Sequence, residues 1–201
     1  MQILAIDIGT GTQDIFLFRS GLSIENGLKL VMPSATMMVW RRIRETTRLG
    51  RPLLLTGVTM GGGPSAWAAE AHRRAGLPVY ATPDAARTFN DDLEFVHREM
   101  GVELVSPDEA RRLSNVDEIV LRDFDFPAIA SAFRPFGVDL EPAAVAIAVF
   151  DHGAAPPGVS DRRFRFGYLA ARIRAENRLT AFAYLAPDVP ASLTRLRAVV
   201  S

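Results

Sequence analysis

The chain has 201 residues, with Lys+Arg and Asp+Glu both at 23, so its formal net charge is zero. That length can bury a substantial core, and the charge balance argues against a broad electrostatic footprint for nucleic acid or an anionic membrane. There is no cysteine, which excludes disulfides, thiolate nucleophiles, Cys–zinc sites and Cys-held iron–sulfur clusters within it.

The apolar run Ile3-Leu4-Ala5-Ile6-Asp7-Ile8 predicts a strand buried on both faces. Gly9-Thr10-Gly11-Thr12 predicts a tight turn, because glycine tolerates positive φ and lets backbone come close to a ligand. Residues 13–18 then return antiparallel. Backbone N–H groups and Thr hydroxyls at the tip can donate to phosphate oxygens, and Asp7 can hold a divalent cation directly or through water. An acid ending a buried strand costs free energy unless it is paired or binds a cation. The alternative is a Gly-rich turn in an ordinary sheet. Turns follow at Ser20-Gly21 and Glu25-Asn26-Gly27, then a third strand over 28–32 ended by Pro33. Ser34 or Thr36 caps a helix over 37–49, whose Arg41, Arg42, Arg44 and Arg48 form a solvated face.

Residues 52–56 predict a fourth, buried strand, followed by Gly57-Val58-Thr59-Met60-Gly61-Gly62-Gly63-Pro64. Pro64 suits the first turn of a helix that runs to Arg74 and stops at Gly76. A strand, a Gly-rich loop and a helix N-terminus make an anion site, since unpaired N–H groups and the helix dipole converge there. No Gly-Lys-Ser/Thr follows, so this is not a P-loop. The alternative is that the glycines allow close helix–strand packing. A fifth strand spans 77–81, and a helix starts at Thr82-Pro83-Asp84 and extends toward Met100. Asn90-Asp91-Asp92 interrupts it as a cap or surface feature. His72 and His97 have no second ligand at i+4 and read as packed or surface groups.

Short strands at 102–105 and 119–122 flank a polar helix over 107–113, and a further helix covers 125–136. Residues 143–150 form the longest apolar stretch, far below the roughly 20 residues that a membrane span needs. It ends in Asp151-His152-Gly153. Ligands gather at the carboxyl ends of strands in open α/β sheets, so the pair Asp151 and His152 is a candidate metal ligand or general base. Equally, Asp151 caps the turn at 154–158. Ser160-Asp161-Arg162-Arg163-Phe164-Arg165-Phe166 alternates basic and aromatic residues and reads as packed rings with solvated arginines. Helices follow over 168–179 and 192–200.

Asp-x-Gly-Thr-x-Thr between two apolar strands resembles the first phosphate hairpin of the actin, hexokinase and heat-shock-chaperone ATPase superfamily. More narrowly, Leu4 to Asp14, Thr56 to Pro64, Asp151-His152-Gly153 and Arg162 to Phe166 resemble a prokaryotic family labelled a pyruvate formate-lyase-activating enzyme. Family members are longer. A radical activating enzyme would hold its cluster on a Cys triad, and this chain has none.

The expected fold class is α/β, a single ribonuclease-H-like lobe over 1–153 with a helical extension over 154–201. Its first three strands form an antiparallel meander, parallel strands complete a mixed sheet, and helices cover it. The resemblance implies ATP and Mg²⁺ as cofactors. Asp7 would engage the metal, and Gly9, Thr10, Gly11, Thr12 and Gln13 the β/γ-phosphates. Gly57, Thr59, Gly61, Gly62 and Gly63 would line the cleft, and Asp151 would orient the attacking group. The chain lacks the second phosphate hairpin that the superfamily implies. The expected function is therefore a nucleotide-binding lobe of an ATPase or phosphotransferase, or a non-catalytic domain docking on a partner lobe or a second copy. No nucleic-acid or membrane partner is expected. With no basic leader and no apolar span, the expected location is the cytoplasm.

Overall fold

The computed structural model describes residues 1–156 and 158–201. Pro157, part of the turn read at 154–158, lies outside the described residues. Contacts divide the chain into Met1–Val149 and Phe150–Ser201, earlier than the boundary read after residue 153. Residues 150 and 151 belong to the C-terminal unit because the Phe150 carbonyl accepts from Arg195 at 2.7 Å and Asp151 accepts the Leu196 N–H.

The strands of the first unit are β1 (Gln2–Ile8), β2 (Thr12–Arg19), β3 (Leu28–Pro33), β4 (Leu53–Gly57), β5 (Val79–Ala81), β6 (Glu103–Leu104), β7 (Asp117–Leu121) and β8 (Ala144–Val149). Its helices are α1 (Ala35–Arg48), α2 (Pro64–Arg74), α3 (Pro83–Ala86), α4 (Leu93–Arg98), α5 (Pro107–Ala110) and α6 (Phe126–Phe133). The fold is α/β. One mixed sheet has the order β3-β2-β1-β8, in which the first three strands form the antiparallel meander and β8 runs parallel to β1. This arrangement is compatible with a ribonuclease-H-like ATPase lobe. The other parallel strands do not extend that sheet. They form a second one, ordered β6-β5-β4-β7, because β8 occupies the free edge of β1 and β4 pairs on both sides with β5 and β7.

The all-Leu segment of β4 is central to the second sheet. Leu53 and Leu55 face a core with Val39 and Ile43 of α1, Ala68 of α2, Val79, Ile119 and Leu121. By strand alternation Leu54 faces the other way, packing with Val105 and Ala110. In the first sheet only one face is closed. Leu4, Ile6, Ile8, Ile15 and Leu17 are buried, whereas Asp7, Ala144, Ala146 and Ala148 on the opposite face are exposed. The expectation that the first strand is buried on both faces is thus corrected, and with it the argument that Asp7 is a buried charge.

The helix expected from Thr82 toward Met100 is two short ones. The first ends at Ala86, and Asp92 starts the second by accepting the Glu94 and Phe95 N–H groups as its N-cap. The C-terminal unit contains α7 (Asp161–Glu176) and α8 (Thr194–Val199). Helix α7 begins well before the expected position 168. Ser160 caps it by accepting the Arg163 N–H at 3.3 Å, so the basic–aromatic alternation is helical. Asn177, at φ 41°, ends it.

Candidate functional site

The β1–β2 register pairs Ile8 with Gln13, which leaves Gly9, Thr10 and Gly11 to make the reversal. Gly9 N–H donates to the Thr12 carbonyl at 2.9 Å. Neither glycine of the tip has positive φ, contrary to the reason given for them above. Gly9 is instead needed for closeness, since a Cβ there would lie 3.1 Å from Thr12 O. Around Gly11 no atom lies within 4 Å of a would-be Cβ. The tip therefore faces open space on its ligand-accessible side.

Two hydroxyls of α1 fix this tip to the Gly-rich loop after β4. Ser34, the helix cap, is buried. Its Oγ donates to the Thr10 carbonyl at 2.6 Å and its N–H donates to the Gly11 carbonyl at 3.1 Å. Thr36, also buried, donates through Oγ1 to the Gly62 carbonyl and accepts the Ser65 N–H at 3.3 Å. The sequence offered both residues as cap candidates; Ser34 is the cap, and the ties to the two loops are a task that spacing alone did not reveal. The loops meet: a Cβ on Gly63 would lie 3.8 Å from Thr10 Cγ2.

Within the Gly-rich loop the glycines have separate tasks. Gly57 sits at φ +92°, and a Cβ on it would strike Leu121 O at 2.3 Å. It is accounted for by packing of β4 on β7. Thr59 Oγ1 donates to the Asp84 carbonyl at 3.0 Å. Gly61 N–H donates to both Asp123 oxygens at 3.2 Å. A Cβ on Gly62 would lie 2.6 Å from Thr88 O. Gly63 precedes Pro64 at φ +53°, opening the 11-residue α2. Asp123 is a residue the sequence reading missed. It is 4% exposed and follows β7, and the available signal was an acid just past an apolar strand in Leu121-Arg122-Asp123.

Once these internal bonds are assigned, the N–H groups of Thr10, Gly11, Gly62 and Gly63 have no partner among the described residues. Gln13 is turned away from this set, its Nε2 donating to the Pro33 carbonyl at 3.0 Å. Asp7 is exposed and its register partner across the hairpin is Asp14, also exposed. Thr12 Oγ1 reaches Asp14 at 3.5 Å. Like charges facing one another across a strand pair are destabilising, and a cation relieves that repulsion. Among the described residues no group of three His, Cys, Asp or Glu could hold a metal ion. A cation at Asp7 would therefore complete its shell with water and ligand oxygens, as Mg²⁺ habitually does.

In the C-terminal unit both oxygens of Asp151 are engaged, Oδ1 accepting the Gly153 N–H at 2.8 Å and Oδ2 the Leu196 N–H at 2.7 Å. The carboxylate thus satisfies an otherwise orphaned N–H in the first turn of α8. His152 Nδ1 meets Arg165 at 2.6 Å, and the Arg165 guanidinium stacks on Phe150, 4.4 Å from the ring centroid. Asp151 and His152 therefore have separate partners and do not act as a pair. His72 is fully buried beside Thr47 Oγ1 at 2.8 Å, and burial holds its imidazole below the ordinary histidine value. It is a packed histidine.

A family model described as "Putative pyruvate format-lyase activating enzyme (DUF1786)" matches residues 60–201. The chain belongs to this family. The family match contains Gly61 to Gly63, Asp123, Asp151 and His152, while the β1–β2 hairpin precedes it. The description fits no cluster chemistry on this chain, which has no cysteine to hold iron. No curated protein matches the chain. One solved structure, "Structural Study of the Aquifex aeolicus PPX-GPPA enzyme", aligns at 18% identity over 54% of this chain and 37% of its own, with a TM-score of 0.15. A likeness of that size carries no argument, and the chain spans little more than a third of that structure's length. No helix among the described residues is long and apolar enough to cross a membrane.

Proposed function

We propose that the first unit is the phosphate-binding lobe of an ATP-dependent phosphotransferase or ATPase. The observation that supports this most is the meeting of two Gly-rich loops with four unpartnered N–H groups, on Thr10, Gly11, Gly62 and Gly63. Preorganised N–H donors around open space suit the oxygens of a β/γ-phosphate, where they act without reorganising. Asp7, with Asp14 opposite, takes Mg²⁺ through water or directly, and the metal neutralises charge on the phosphates when bound. Thr10 and Thr12 add hydroxyl donors. Gly57, Thr59, Gly61 and Gln13 shape the walls rather than touch phosphate, as their contacts are already internal. Asp151 receives no reacting role, because both its oxygens accept backbone N–H groups. Phosphoryl transfer depends on positioning and charge stabilisation, which is what such a cradle supplies. On this reading the lobe works where ATP and Mg²⁺ are supplied, in the cytoplasm.

Gly11→Ala is the sharpest test of the cradle. The added methyl meets no atom within 4 Å, so the variant folds, yet it occupies the space a phosphate would enter. Titration calorimetry with Mg-ATP should show binding to the wild-type chain and a loss of about tenfold or more in Gly11→Ala, the equivalent of about one charge-assisted hydrogen bond. Equal affinities would reject the reading.

A second reading, a lobe that works by docking on a partner lobe or a second copy, is favoured by the uncovered sheet face. Ala144, Ala146 and Ala148 of β8 are exposed on it, an apolar surface of the kind that marks interaction sites. Sedimentation at rising concentration separates the two: a dimer supports docking, and a monomer throughout argues against self-association.

A further inference from the structure

The carboxyl ends of β4 and β5 open onto a second cavity, of about 410 Å³, lined by Thr56, Gly57, Thr82, Asp84, Arg111 and Glu118 among others. It lies on the Leu54 face of the second sheet, since Thr56 alternates with Leu55 and Glu118 is the register partner of Leu54. Its size falls within the range of small-molecule sites, and the carboxyl edge of a parallel sheet is where such ligands gather. It shares only Gly57 with the Gly-rich loop described above and none of the unpartnered N–H groups of the phosphate cradle.

Two observations indicate that this cavity takes a ligand. Thr82 is 7% exposed and sits in the N-cap position of α3, yet its side chain caps nothing. Its hydroxyl has no partner among the described residues and is not among the buried unpaired side-chain atoms, so the polar tip of a residue otherwise buried is open to the cavity that it lines. Charge is the second. Glu118 is held in place by the Thr56 hydroxyl at 2.6 Å through Oε1, which leaves Oε2 to bond elsewhere. Asp84 adds a second carboxylate, and Arg111 adds a guanidinium. The present partners of these two, Arg87 for Asp84 and Asp108 for Arg111, are exposed ion pairs, weak enough to exchange for a ligand. The lining thus offers two carboxylates together with a guanidinium and a hydroxyl.

We propose that this cavity binds a small zwitterion the size of a free α-amino acid. Its ammonium group is held by Glu118 and Asp84, and its carboxylate by Arg111 and the Thr82 hydroxyl. The inference does not rest on the nucleotide reading, and either can fail alone. The test is titration calorimetry on the full chain with each of the proteinogenic amino acids, with glycerol, glucose and inorganic phosphate as probes that are not zwitterions. At least one amino acid should bind at a one-to-one ratio. Glu118→Gln and Arg111→Gln should each weaken it by about tenfold or more, as lost charge-assisted hydrogen bonds do. Asp7→Asn should bind it as the wild type does. Arg111 is largely exposed, so its variant should keep the wild-type melting temperature without ligand and reports on binding alone. The proposal is overturned if no amino acid binds at millimolar concentration, if a polyol or phosphate binds as tightly, or if Arg111→Gln keeps full affinity.

Discussion

Gly57→Ala should be among the most damaging methyl additions in the chain. Gly57 ends β4 at φ +92° and pairs in register with Leu121 of β7. A Cβ there lies 2.3 Å from Leu121 O and 2.8 Å from Leu121 N. Both are backbone atoms, so no side-chain rotation relieves the contact. The Val58 N–H also donates to Leu121 O at 3.0 Å, and moving β7 away stretches that bond. Left-handed backbone costs a non-glycine residue about 1–2 kcal/mol, and overpacking adds about 1–3 kcal/mol. A loss of about 2–5 kcal/mol is expected, large against the roughly 5–15 kcal/mol that holds a domain folded. Gly76→Ala is the control, at φ +82° with no atom within 4 Å, and should lose only the backbone part, about 1–2 kcal/mol. Urea unfolding of both variants against wild type measures the difference. Equal losses would refute the argument that close approach of β4 and β7 is what demands glycine.

His72 gives a pH prediction. Burial lowers its folded-state pKa, while the unfolded chain titrates near about 6.5. The unfolded state therefore binds more protons in the window below that value, and stability is full above about pH 6.5 and declines as pH falls through it. Thermal melts between about pH 5 and 8 should show this decline, and His72→Gln should flatten it; an unchanged slope would remove His72 as the cause. Asp123→Ala leaves the Gly61 N–H without its acceptor and should cost about 1–3 kcal/mol in urea unfolding. Asp123→Asn keeps one acceptor oxygen and should cost less; an Ala variant as stable as wild type would show that the loop does not depend on this tether.

The parts of the fold and site that the sequence made legible are those written in contiguous residues. The Gly-Thr-Gly-Thr reversal between apolar runs, the Gly-Gly-Gly-Pro opening of α2 and the Ser34 cap all depend on local backbone chemistry, and the structure has each of them. What was hidden depends on partners distant in the chain. Thr36 reaches Gly62, Asp123 reaches Gly61 and Asp151 reaches Leu196, and no spacing rule signals such pairs. The exposure of Asp7 follows from which face of β1 is covered, a property of the whole sheet. The start of α7 was misread because Arg-Phe-Arg-Phe alternates with period two over too short a window, while the Ser160 cap that decides the matter lies just before it. Division into two sheets rather than one follows from β8, distant in the chain, taking the edge of β1 while β4 pairs with β5 and β7, pairings that no local pattern announces.

The most direct test of the phosphate cradle is thermal unfolding of the chain with Mg-ATP, with ATP plus chelator, and with neither, repeated on Asp7→Asn. Because Asp7 is exposed and faces Asp14, the substitution should leave the ligand-free midpoint at or slightly above that of wild type. At a hundredfold excess over Kd the wild-type midpoint should rise by about 5–10 °C in the presence of Mg²⁺, and the rise should vanish with chelator and in Asp7→Asn. No rise at millimolar Mg-ATP, or an equal rise in Asp7→Asn, would contradict the account.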